Sequence, residues 1–172
     1  MTQFLRDRDC IILKKGDSLP VSITSAMAAG GWPGGQGVQW VDSPKDIFLV
    51  NYSDGPFGGF IFYGSTEPSD KFPSTVGQQL VYGYSVLAFG SWVVATSTYE
   101  RYTYASRQAG PLVPITYQPQ DRLRFSLRGY WTKEDEWTLS GDPRAPNNLF
   151  CAITVQVPSA ETNHYLTLQT IM

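Results

Sequence analysis

Histidine is almost missing: His164 is the single one in 172 residues. A Ser-His-Asp triad needs a histidine as base beside a nucleophile on a sharp turn, and no Gly-x-Ser-x-Gly elbow occurs. His164, in Thr162-Asn163-His164-Tyr165, reads as an exposed strand-end residue. Cysteine is equally scarce. Cys10 and Cys151 are too few for a disulfide framework and lack metal-ligand spacing. Cys151 reads as a buried thiol, with a Cys10–Cys151 bridge left open. Charged residues make up 16%, against the usual ~25%, and a net charge of -2 offers no general attraction to nucleic acid or acidic membranes. No apolar run approaches the about eighteen residues that span a bilayer, and the first residues lack the apolar core of a signal peptide. Helical periodicity is confined to Ser22–Ala29, which runs into Gly30 and Gly31, and no fixed-period repeat appears.

Aromatic residues are abundant at 14%. Strand-type patterning recurs near Ile11–Lys14, Leu19–Thr24, Val38–Val41, Ile47–Tyr52, Gly59–Tyr63 and Gln79–Phe89. It continues near Trp92–Tyr104, Leu112–Tyr117, Leu123–Tyr130, Leu149–Val157 and Tyr165–Ile171. Lys15-Gly16-Asp17, Asp54-Gly55-Pro56, Ala109-Gly110-Pro111 and Ser140-Gly141-Asp142-Pro143 supply turns between them, and Gly90-Ser91 suits a type II′ hairpin. The expected fold is all-β: an antiparallel two-sheet sandwich, jelly-roll-like, with long loops. Residues 1–10 are expected as an N-terminal arm and 11–172 as one domain. Gly30–Gly37 and Lys133–Asn148 read as long loops. Ile47–Val50, Leu123/Phe125/Leu127 and Leu149/Cys151/Ile153/Val155 are expected to share one core.

Few residues point to chemistry. Glycan hydrolysis needs two carboxylates across a cleft. Only Glu100 of the five glutamates sits in strand-like sequence, beside Arg101, where a cross-strand ion pair explains it. Gly34-Gly35-Gln36-Gly37 lacks the Lys-Ser/Thr and following helix of a phosphate loop. The sharpest pattern is Arg122-Leu123-Arg124-Phe125-Ser126-Leu127-Arg128. Period-two alternation turns the apolar side chains inward and places three of eight arginines on the opposite face. Arg122, Arg124 and Arg128, together with Trp32, are therefore the expected partner contacts. Trp131 and Trp137 flank an acidic loop and are the candidates for stacking on sugar rings. Catalytic residues, metals and cofactors are not expected, and neither is a nucleic-acid or membrane partner.

The low charge, the aromatic stretch Gln79–Ala105 read as a hairpin, and the glycine-rich loops give a chain that resembles small β-sandwich virion proteins of tailed phages. These are the decoration, cement or connector-associated proteins. The resemblance is one of style, with no shared motif. It implies a protein made in the host cytoplasm and carried in the virion. Its repeated copies, expected as a homo-oligomer, would bridge capsid or tail subunits through loops and the arm, without catalysis. The alternative is a carbohydrate-binding sandwich of the lectin or receptor-binding kind.

Overall fold

The computed structural model describes residues 8–23, 30–41, 49–51, 59–64, 84–126, 128–133, 151–162 and 164–171. Among them the chain is nearly all strand. The strands are β1 (Cys10–Lys14), β2 (Asp17–Ile23), β3 (Gln36–Val41), β4 (Leu49–Asn51), β5 (Gly59–Ile61) and β6 (Tyr84–Phe89). After them come β7 (Val93–Thr96), the single-turn helix α1 (Tyr104–Gln108), β8 (Arg122–Phe125), β9 (Trp131–Lys133), β10 (Ala152–Gln156) and β11 (Leu166–Thr170). One sheet has the order β1-β7-β11-β10-β8-β9, antiparallel throughout. The other runs β4-β3-β5-β6-β2 in antiparallel succession. It curls until Ser22 and Ile23 of β2 meet Leu49 and Val50 of β4 in a short parallel pairing.

The expected all-β, two-sheet class is what the structure shows. Its strand order is not that of a jelly roll, in which successive strands mostly alternate between sheets. Here the chain stays in the curled sheet from β2 to β6 and in the six-stranded sheet from β7 to β11. The expected Gly90-Ser91 hairpin is corrected for the same reason. β6 pairs with β2, and β7 pairs with β1, so β1-β2 and β6-β7 form one ribbon that bends from sheet to sheet. A register shift between Ile12 and Lys14 and positive φ at Gly90 supply the bend. At its inner side Trp92, 1% exposed, donates its indole N–H to Asp17 O (2.9 Å) and Phe89 O (2.7 Å). A Cβ on Gly16 would stand 2.5 Å from Ser91 O and 2.6 Å from the Trp92 ring. Glycine lets the ribbon close over the tryptophan.

Both sheets contribute to one aromatic core. Phe60 of β5 meets Trp92 edge-on at 5.9 Å and Trp131 of β9 at 6.1 Å, while Phe125 of β8 lies 4.0 Å from Trp131. Burying each such ring contributes about 1.5–3 kcal/mol, and well-oriented aromatic pairs about 0.5–1.5 kcal/mol more. Leu123 and Phe125 are buried as expected. Cys151 packs against the core as expected, but within β10 the facing is the opposite of that expected: Ala152 and Thr154 are buried, and Val155 is 50% exposed. Its inward residues lie opposite Thr170 and Leu168 of β11 in register. With the large core rings coming from other strands, small residues fill this position. Ile47, Phe48, Leu127 and Leu149 lie outside the described residues.

Two further expectations are corrected. Gly30–Gly37 is not a loop throughout, because Gln36 and Gly37 open β3 and Gly34–Gly37 are buried. A Cβ on Gly37 would meet the Phe125 ring at 2.6 Å, so its glycine serves close packing. Leu112–Tyr117 forms no strand and joins its neighbour through a single bridge, Tyr102–Pro114. Ser22 and Ile23 of the helical candidate end β2, and its remainder lies outside the described residues. Of the expected arm, Arg8 to Cys10 are docked: Arg8 O accepts from Tyr165 Oη, and Asp9 O accepts from Ser97 N and Thr96 Oγ1.

Candidate functional site

After β7, residues 97–103 run as an irregular extended segment held by β9. Glu100 N donates to Trp131 O (2.7 Å), and Trp131 N to Thr98 O (3.1 Å). Consecutive side chains of an extended chain point to opposite sides. Glu100 therefore turns into the body while Arg101 turns out.

Glu100 is fully buried. Arg128 grips its carboxylate through NH2 at 2.7 Å and Nε at 3.0 and 3.1 Å, and Ser126 Oγ donates to it at 2.6 Å. The Arg128 guanidinium also lies 4.3 Å from the centre of the Tyr130 ring. Gln36 Nε2 donates to Arg128 O, and Gly37 N to Gly129 O, anchoring the turn that carries the arginine. A carboxylate so enclosed is a structural counter-charge and cannot approach a glycosidic oxygen. The expected ion pair is present, and its partner is Arg128.

On the outer side a cleft of about 410 Å³ opens, lined by Tyr99, Arg101, Tyr102, Ile115, Tyr117 and Val157, with Pro114, Thr116 and Pro158. Ile115 N bonds Arg101 O, and Thr103 N bonds Val113 O, tying its two walls together (both 2.9 Å). The floor is a tyrosine pair, Tyr99 and Tyr117, edge-on at 5.6 Å. Tyr117 Oη donates to Glu100 O, and Tyr99 Oη donates to His164 O, both at 2.6 Å. Arg101 NH1 in turn donates to Tyr99 Oη at 2.9 Å, with its guanidinium carbon 4.7 Å from the Tyr99 ring centre. Burial pushes the Tyr99 phenol above its ordinary pKa, partly offset by the Arg101 charge. Tyr99 is thus a neutral post holding an exposed arginine.

The sequence-predicted residues fall elsewhere. Arg124 is 1% exposed and Ser126 is buried, so the face read as solvated is covered. Arg128 is committed to Glu100, and Arg122 remains exposed at the start of β8. Trp32 is 4% exposed and donates its indole N–H to Tyr63 O (2.8 Å). Trp131 has no exposed surface, which removes it as a sugar platform, and Trp137 lies outside the described residues. His164 is exposed, in the turn before β11, with φ of 62°. Cys10 and Cys151 are free thiols. Among the described residues no three His, Cys, Asp or Glu side chains gather as metal ligands, and no helix is long and apolar enough to cross a membrane. Arg101 and Tyr102 were not among the residues expected to make contacts. Their only signal was Tyr99-Glu100-Arg101-Tyr102, which crowds aromatics and charge within a chain poor in charge.

No protein-family model matches the chain, and no curated protein matches it significantly.

Proposed function

We propose that the chain is a non-enzymatic structural protein of a virus particle, present in multiple copies that contact capsid or tail subunits. The observation that carries this reading is an exposed apolar pair, Leu112 (53%) and Val113 (51%), on an excursion with a built frame. Thr103 caps α1 by accepting from Ser106 N, and Thr103 N bonds Val113 O, so the excursion leaves and rejoins the body at fixed points. Apolar side chains held out by such a frame suit a protein contact, and the chain's few charges and many tyrosines fit the same role.

The test is particle composition. Purified particles from the source should carry the chain at fixed copy number by quantitative mass spectrometry. A Leu112→Ser/Val113→Ser variant should fold normally and incorporate poorly. Absence from particles, or full incorporation of the double variant, would overturn the reading.

A further inference from the structure

We propose that the cleft formed by residues 99–102, 114–117 and 157–158 binds a carboxylate-bearing pyranose of a glycan, with Arg101 as the anchor for the carboxylate. This inference stands on the cleft alone and does not depend on the virion reading.

The first argument is charge. Arg101 has no acidic partner among the described residues, in contrast to Arg128 in its bidentate pair. It is nevertheless held in place, by the Tyr99 ring and hydroxyl, and Tyr99 is fixed in turn by His164 O. A tyrosine post positions the guanidinium without neutralising it. Among the described residues its Nε and NH2 meet no acceptor, which leaves them as the planar fork that matches one carboxylate. A phosphate would call for further cations or a nest of backbone donors. Lys133, the one lysine near the cleft among the described residues, spends its ammonium on Thr116 O and Asp121.

The walls supply the second argument. Tyr102, Pro114 and Pro158 offer rigid rings, and Ile115 and Val157 offer apolar surface, a lining suited to the C–H face of a pyranose. A volume of about 410 Å³ falls within the range of small-ligand sites. The backbone between the walls is already hydrogen-bonded across, at Ile115–Arg101 and Thr103–Val113. These bonds use the facing backbone edges of the two segments, so within the cleft recognition falls to side chains. That favours a sugar over an extended acidic peptide.

The test is titration of the folded chain, followed by ¹H–¹⁵N NMR, with methyl β-D-glucuronide, the methyl glycoside of N-acetylneuraminic acid, and methyl β-D-glucoside. At least one acidic sugar should shift the amides of Arg101, Tyr102 and Thr116, with affinity at least tenfold above the neutral glucoside. Arg101→Gln should lower that affinity at least tenfold while leaving distant amides unmoved. Arg101→Lys, which keeps the charge but not the fork, should fall between. Equal binding of acidic and neutral sugars, or an undiminished response in Arg101→Gln, would overturn the proposal. So would silence toward all three sugars, and a short Glu-rich peptide shifting the same amides would then mark the cleft as a protein-docking site.

Discussion

Glu100 has no exposed surface and meets an arginine and a serine from the 126–128 turn, whereas Arg101, one residue on, stands in a cleft wall with a tyrosine hydroxyl as its polar partner. The two residues share a backbone and an extended conformation. They differ in what their side chains have been given. The carboxylate side is closed: its charge is matched and its hydrogen bonds reach into the glycine-packed start of β3. The guanidinium side is positioned but unneutralised. The same segment therefore separates a residue that holds the fold from one left available to something outside it.

That contrast is most exposed at Arg128. Arg128→Met keeps the stem and removes the counter-charge, leaving a carboxylate without charge compensation where nothing is exposed, at a cost of about 3–5 kcal/mol. Glu100→Gln should cost less, about 1–2 kcal/mol, because Arg128, 37% exposed, can turn its charge to water. Urea melts of both variants would give these values. Equal losses would mean that the pair is not enclosed as described.

Next in size is the packing that holds the Arg128 turn. Gly37→Ala places a methyl against the Phe125 ring, which is confined by Trp131 at 4.0 Å. Neither ring has room to swing aside, so a loss of about 1–3 kcal/mol is expected. Gly30→Ala, with nothing within 4 Å of its added carbon, is the control and should stay within about 0.5 kcal/mol. Similar losses at both glycines would show that conformational freedom, rather than close approach, selects glycine here.

These residues also show what the sequence could and could not reveal. Alternation located most strands, because each has at least one apolar face and a Gly, Pro or Asp boundary. It failed wherever it had to say which face is wet. In 122–128 Leu123 and Phe125 are buried, but so are Arg124 and Ser126, since the opposite face is covered too. In β10 the larger residues were assumed to point inward, yet Ala152 and Thr154 do, beneath a core filled by rings from other strands. A two-residue Gly-Ser link looks the same whether the flanking strands pair with each other or bend together into a second sheet. Glu100 and Arg128 are 28 residues apart, and only the tertiary fold brings them together as partners.

A smaller effect lies in alkaline pH. Cys151 keeps part of its surface, but its thiol is enclosed, which pushes its pKa well above the ordinary 9.0 despite the opposing pull of the Arg124 charge. The native state therefore holds this proton more tightly than the unfolded chain. The associated stability is fully present below pH 9.0 and declines as pH rises beyond it, by about 1 kcal/mol per pH unit. Tyr99 acts with the same sign above 10.0. Subtracting Cys151→Ala from the native chain in melts at pH 8 to 10.5 isolates the thiol. A difference that does not change with pH would mean that solvent reaches it.

The smallest expected change in stability is at Arg101. Among the described residues its guanidinium bonds only Tyr99 Oη, which keeps its own bond to His164 O when the arginine is gone. Arg101→Gln should therefore lie within about 0.5 kcal/mol of the native chain. Tyr99→Phe should cost about 1 kcal/mol, because it strips His164 O of that hydroxyl donor. The order matters more than either value. If the arginine supported the fold through the tyrosine, its loss would cost at least as much as the loss of the hydroxyl. If instead the tyrosine supports the arginine, the fold barely registers the substitution, and the amide resonances of Glu100, Ser126 and Arg128 across the segment stay in place. A loss above about 1 kcal/mol in Arg101→Gln, or movement of those resonances, would merge the two sides of the segment into one structural network and remove the reason to look for a ligand there.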